Sequence, residues 1–138
     1  MSPARSAERR RRQRPSGDHG AAIVDFALVG GLITLVFAAV IQLTLAEHVR
    51  NTLIDCAAEG ARYAALADRT PQDGADRTRA LIAVTLAPGF ADDVAAVVTT
   101  IDGLAVIEVR VTAPLPVAGL LGPTGQLTVS GHALREAP

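Results

Sequence analysis

One carboxylate in this chain stands where a carboxylate is costly. Asp25 lies at the junction Gly17-Asp18-His19-Gly20-Ala21-Ala22-Ile23-Val24-Asp25-Phe26, just inside an apolar run, and residues 26–46 carry no formal charge. An Asp at the centre of a membrane helix costs about 2.5 to 3.5 kcal/mol on insertion scales, and less near the interface. Either Asp25 sits at the headgroup level or it has a task. The other reactive side chains form no constellation. His19, His48 and His132 are scattered without ligand spacing, which predicts no metal site. Ser130-Gly131-His132 lacks the nucleophile-elbow pattern and reads as ordinary strand sequence. Cys56 is the only cysteine, so no intramolecular disulfide can form. No catalytic residue and no cofactor is expected.

The elements that must position Asp25 follow from charge and apolar length. With 138 residues, the chain has room for one modest domain beside a membrane segment. Arg5, Arg9, Arg10, Arg11, Arg12 and Arg14 crowd the first segment, and every other basic residue is also Arg. Residues 1–20 combine Arg, Ser, Pro and Gly without apolar periodicity, which predicts a basic, disordered leader. Residues 26–46, at about 1.5 Å per helical residue, span about 32 Å, matching a hydrocarbon core of about 30 Å. A transmembrane helix is therefore predicted over residues 21–46. Arg9, Arg10, Arg11, Arg12 and Arg14 flank only its N-terminal side, which predicts a cytoplasmic N-terminus and an extracytoplasmic domain over residues 47–138. The same Arg run could meet nucleic acid or anionic lipid, but it lacks interleaved aromatics and already serves as a topology signal. No nucleic-acid partner is expected; the bilayer is. Thr44-Leu45-Ala46 would be a poor secretory cleavage site, after an apolar region too long for a signal peptide.

Beyond the span, Val49, Leu53, Ala57, Gly60, Ala61 and Ala64 recur at helical spacing, with Arg50, Asp55, Glu59 and Arg62 between them. This predicts that the membrane helix continues as an amphipathic one. Its stripe narrows to Ala57, Gly60, Ala61 and Ala64, a face that a second helix or a sheet can approach closely. Thr70, Pro71 and Asp73 mark the start of another helix, running to about Leu86 and punctuated by Pro88 and Gly89. Residues 94–101, Asp102-Gly103 and residues 104–113 carry the signal of a hairpin. Ile107, Val109 and Val111 alternate with Glu108, Arg110 and Thr112, as in a half-buried strand. Pro114 and Pro116 are expected to end it, residues 117–125 to form an apolar loop, and residues 126–134 to form a third strand. The predicted class is α+β, with two helices and an antiparallel sheet of about three strands.

Gly20, Asp25 and Phe26, in that order after a basic leader, resemble the start of the TadE-like family of pseudopilins, which serve tight-adherence (Flp-type) pilus and secretion systems of bacteria. The resemblance is most specific over residues 20–35. Asn51-Thr52-Leu53 and Ala57-Ala58-Glu59-Gly60-Ala61-Arg62-Tyr63-Ala64-Ala65 also look like the family's segment after the membrane helix. It implies that a prepilin peptidase cuts between Gly20 and Ala21, making Asp25 the fifth residue of the mature chain and Phe26 the aromatic residue that follows it. The family usually has Glu at the acidic position, so Asp25 is a shorter variant. It further implies pilin or pseudopilin subunits and pilus assembly proteins as partners. Cleavage would create an ammonium on Ala21 for a carboxylate one turn away, or on a neighbour, to neutralise. Opposite charges attract strongly at low dielectric, although desolvation opposes the gain. The alternative, of a different class, is an uncleaved single-pass protein whose outer domain binds or anchors a partner.

Overall fold

The computed structural model describes residues 18–115 and 125–136, with side chains from residue 20 onward. The elements run α1 (Asp18–Ala65), α2 (Pro71–Thr85), a 3-10 turn (Pro88–Phe90), β1 (Asp93–Ile101), β2 (Leu104–Pro114) and β3 (Gln126–Leu134). The chain is α+β, as its patterning predicts. It falls into two compact units, Met1–Ala38 and Ala39–Pro138.

The first unit contains the beginning of α1. Neither proline nor a formal charge interrupts the helix between Phe26 and Ala46, so no residue there breaks the backbone hydrogen-bond ladder. The helix begins at Asp18, so the last three residues of the expected leader are helical. The rest of that leader, with Arg9, Arg10, Arg11, Arg12 and Arg14, lies outside the described residues.

In the second unit the remainder of α1 and the whole of α2 cover one face of the sheet. Thr70 is the N-cap of α2 and Pro71 its first residue. The Thr70 hydroxyl accepts from the Asp73 amide at 3.2 Å, and the Thr70 amide donates to Asp73 Oδ2 at 2.8 Å. This reciprocal pair is a capping box, closed here by Asp. The cap of Leu86 and the turn at Pro88–Phe90 end the helix.

The sheet has the order β1-β2-β3, both pairs antiparallel. Asp102 and Gly103 have φ of 51° and 80°, the two left-handed residues that a two-residue hairpin demands. Ile107, Val109 and Val111 are fully buried beneath the helices, together with Leu53, Ala57, Ala61 and Ile82. Glu108 and Arg110 lie on the opposite face, joined at 2.8 Å. Pro114 ends β2 as its last residue, opposite Gln126. Beyond Asp93↔Thr112 there is no β1 residue for it to face, so its missing N–H breaks no ladder bond. Leu115 N then donates to Gly125 O at 3.0 Å; the intervening residues 116–124, most of the expected apolar loop, lie outside the described residues.

Candidate functional site

The chemistry-bearing junction occupies the start of α1. Gly20, Ala21 and Asp25 are exposed, and a Cβ built on Gly20 would meet nothing within 4 Å. From Ala21 to Asp25 the helix rises about 6 Å, and residues four apart share a face. Phe26, beside Asp25, is 82% exposed. The structure therefore brings Gly20, Ala21, Asp25 and Phe26 into two adjoining turns.

From Ile23 to Leu43 the large apolar side chains are at least half exposed on every side of the helix. Such an area far exceeds the few hundred Å² of contiguous apolar surface that soluble monomers leave open. The threonine hydroxyls along it are satisfied locally. Thr34 Oγ1 donates to Gly30 O at 2.8 Å and Thr44 Oγ1 to Val40 O at 2.9 Å, as hydroxyls must where water is absent. Among the described residues, α1 is the one helix long and apolar enough to cross a membrane.

The small-residue stripe lies farther along α1. Ala57, Gly60, Ala61 and Ala64 are all buried, and their partners belong to the same chain. A Cβ on Gly60 would collide with the Thr78 hydroxyl and come within 2.6 Å of Gly74 O; one on Gly74 would lie 2.6 Å from Ala64 Cβ. The two helices thus cross backbone to backbone, glycine against glycine. Thr78 is completely buried, its hydroxyl directed to Gly74 O at 2.9 Å. Cys56 is also buried, its Sγ 3.7 Å from Thr85 Oγ1. On the sheet side, a Cβ on Gly131 would run into the Ala57–Ala58 peptide and lie 2.6 Å from Ala58 Cα.

Residues 20–62 match the family model described as TadE-like protein. This stretch of the chain is TadE-like. No curated protein and no solved structure matches the chain. The TadE-like stretch opens on Gly20, includes Asp25 and the whole charge-free span, and closes two residues before Ala64. Gly131 and Gly74 lie outside it. As a sequence feature Gly131 is a lone glycine inside a strand pattern, a signal of close backbone approach; Gly74 follows the α2 cap by four residues and carries no comparable mark.

Electrostatics in the α+β domain is otherwise local. Backbone and hydroxyl bonds from Thr70 hold the Asp73 carboxyl below the usual carboxylate range. Glu108 accepts from Arg110 and lies 3.9 Å from His132 Nε2. Among the described residues no group of His, Cys, Asp and Glu could hold a metal ion.

Proposed function

We propose that this chain is a pseudopilin-like subunit, cut between Gly20 and Ala21 by a prepilin peptidase and assembled into a Tad/Flp-type pilus or secretion system. The single observation that supports this reading most is the register of the TadE-like match, which begins at Gly20, directly before the apolar stretch of α1, with Asp25 about a turn farther on. The leader is held on the cytoplasmic side by its Arg cluster, and the α+β domain lies across the membrane. The chain acts as a substrate and a building unit, not as an enzyme. Cleavage removes Arg5, Arg9, Arg10, Arg11, Arg12 and Arg14 and leaves a free ammonium on Ala21. Asp25, on the same helix face, is its counter-charge, within the chain or towards a neighbouring subunit. The pair lowers the cost of carrying either charge near the bilayer alone.

Helicity through Gly20 favours the second reading, an uncleaved membrane anchor, because a peptidase needs an extended strand and the first turn of α1 must unwind to supply one. The mass of the protein from cells with an active prepilin peptidase separates the two. Processing gives a chain beginning at Ala21, and replacing Gly20 by a bulky residue abolishes the cut. A chain that still begins at Met1 or Ser2 beside an active peptidase rejects the pseudopilin reading. Asp25→Ala is expected to impair association with pilin partners without altering the stability of the α+β domain.

A further inference from the structure

A strand at the margin of a sheet offers unpaired N–H and C=O groups to any other strand, and soluble domains blunt such margins with charge, proline or a covering element. Here that distribution is reversed. The central strand β2 carries Glu108 and Arg110, whereas residues 94–101 of β1 and the whole of β3 contain no Asp, Glu, Lys, Arg or Pro.

The register identifies the unpaired groups. Arg135 N donates to Ala105 O at 2.9 Å, so Ala105 and its alternates along β2 face β3, and the residues between them face β1. Opposed antiparallel residues exchange both bonds or neither. Val97 and Thr99, opposite Glu108 and Val106, are therefore bonded to β2, while Ala96, Val98 and Thr100 turn their backbone groups to the open edge. Val94 belongs to the same outward set, and its carbonyl accepts from Arg79 Nη2 at 2.6 Å. On β3 the outward residues include Thr128, Ser130 and His132, opposite Thr112, Arg110 and Glu108. Apart from that of Val94, no outward backbone group of either edge has a partner among the described residues.

The two edges fit each other. Outward residues of β1 alternate with Val97 and Thr99, so their side chains are on the helix-covered face; those of β3 are on the face of Glu108 and Arg110. A parallel pair requires this opposition, because each residue bonds the two that flank its opposite number. An antiparallel join of β3 to β1 of another copy would turn the two helix layers to opposite faces. Joining β1 to β1, or β3 to β3, keeps the faces but turns one copy by half a revolution about the sheet normal, reversing the direction of its elements. Copies anchored in one bilayer run the same way through it. From this parity, and resting on the membrane-anchored reading above, we infer that β3 of one copy pairs in parallel with β1 of a second copy, joining their sheets into one. The contact is heterologous, so each copy keeps a free edge for the next. A single strand pair falls below the roughly 1,000 Å² of a stable soluble interface, and confinement to the bilayer supplies the effective concentration it needs.

The test uses the full chain in membranes of the expressing cells, with Cys56→Ala removing its own thiol. Cysteines are introduced at residue 97 or 99 of β1 and at residue 128, 130 or 132 of β3, all on the charged face of the sheet, and oxidised. Chains bearing one cysteine on each strand are expected to give a ladder of multimers, and two singly substituted chains expressed together a mixed dimer. Val98→Pro removes an outward N–H and leaves the β1–β2 ladder intact, so crosslinking is expected to fall about fivefold, the loss of one net hydrogen bond. Val98→Lys, which keeps every backbone bond, is expected to lower it as well. No ladder from any pair, dimers from Val97→Cys alone matching those of the mixed pair, or yields undiminished in both Val98 variants would overturn the edge pairing. Carbonate extraction of the same membranes separates the two claims. A chain that stays with the bilayer yet does not crosslink rejects the pairing alone, and a chain found in the soluble fraction rejects the anchor and the parallel join with it.

Discussion

Gly131→Ala tests whether β3 is packed on α1 as tightly as the structure has it. The added methyl would lie 2.6 Å from Ala58 Cα and nearer still to the Ala57–Ala58 peptide. Ordinary carbon contacts are at about 3.5 to 4.0 Å, so strand and helix must part by about 1 Å. Both obstacles are backbone of regular elements and cannot rotate away. Overpacking costs about 1 to 3 kcal/mol, and the absence of a flexible neighbour places this change near 3. Cys56 supplies the readout, being the only thiol and 5% exposed. Its alkylation in the detergent-solubilised chain follows opening of the domain, and a loss of about 3 kcal/mol raises the opening constant about a hundredfold. Repeating the labelling across a urea series shows whether the opening is global, by its dependence on denaturant. Ser130→Ala, the neighbouring residue, is the control and is expected to change the rate only slightly. If Gly131→Ala labels at a rate within about threefold of the parent, less than about 0.7 kcal/mol, the close approach of β3 to α1 is wrong.

Thr70→Ala removes the hydroxyl half of the capping box and is expected to cost about 1 kcal/mol, read as a lower urea midpoint for Cys56 labelling. The Asp73 carboxyl is depressed in the folded chain, so its stabilisation is complete above the unfolded value and disappears as pH falls through the folded one. Stability measured from neutral into the acid range should fall less steeply in Asp73→Asn. Leu53→Ala and Ile82→Ala, both fully buried, are expected to lose about 2 to 5 kcal/mol. Val84→Ala, at 86% exposure, should stay within about 0.5 kcal/mol of the parent by the same assay. Gly60→Ala is destabilising against Thr78 and Gly74, and combination with Thr78→Ala should cost less than the sum of the two changes, as a double-mutant cycle reveals.

Much of the architecture was legible because its signals are local. A charge-free run long enough for a bilayer needs no partner to be recognised, and Thr70-Pro71 starts a helix by φ and a hydroxyl alone. Asp102-Gly103 dictates a turn through the left-handed φ it tolerates, and the alternation of Ile107, Val109 and Val111 sorts a strand's faces by period. The third strand occupies the expected residues 126–134 for the same reason. The order Gly20, Asp25, Phe26 is visible in the sequence as well, and the structure places all three in the first turns of α1.

What the sequence left open depends on residues far apart in the chain. The stripe of Ala57, Gly60, Ala61 and Ala64 suits an intermolecular contact as well as an internal one, and only the fold assigns it to α2 and β3 of the same chain. Cys56 could have faced a neighbour, and the packing of α2 buries it. The end of α1 carries no glycine or proline stop at Ala65; its last carbonyl is met by the amide of Glu136 at 2.9 Å, from the other end of the domain. Local sequence set which elements form and which of their faces are apolar, because φ preference and periodicity act over a few residues. Tertiary structure decided which glycines are indispensable and which strand edges stay unpaired, because both depend on how closely distant backbones approach.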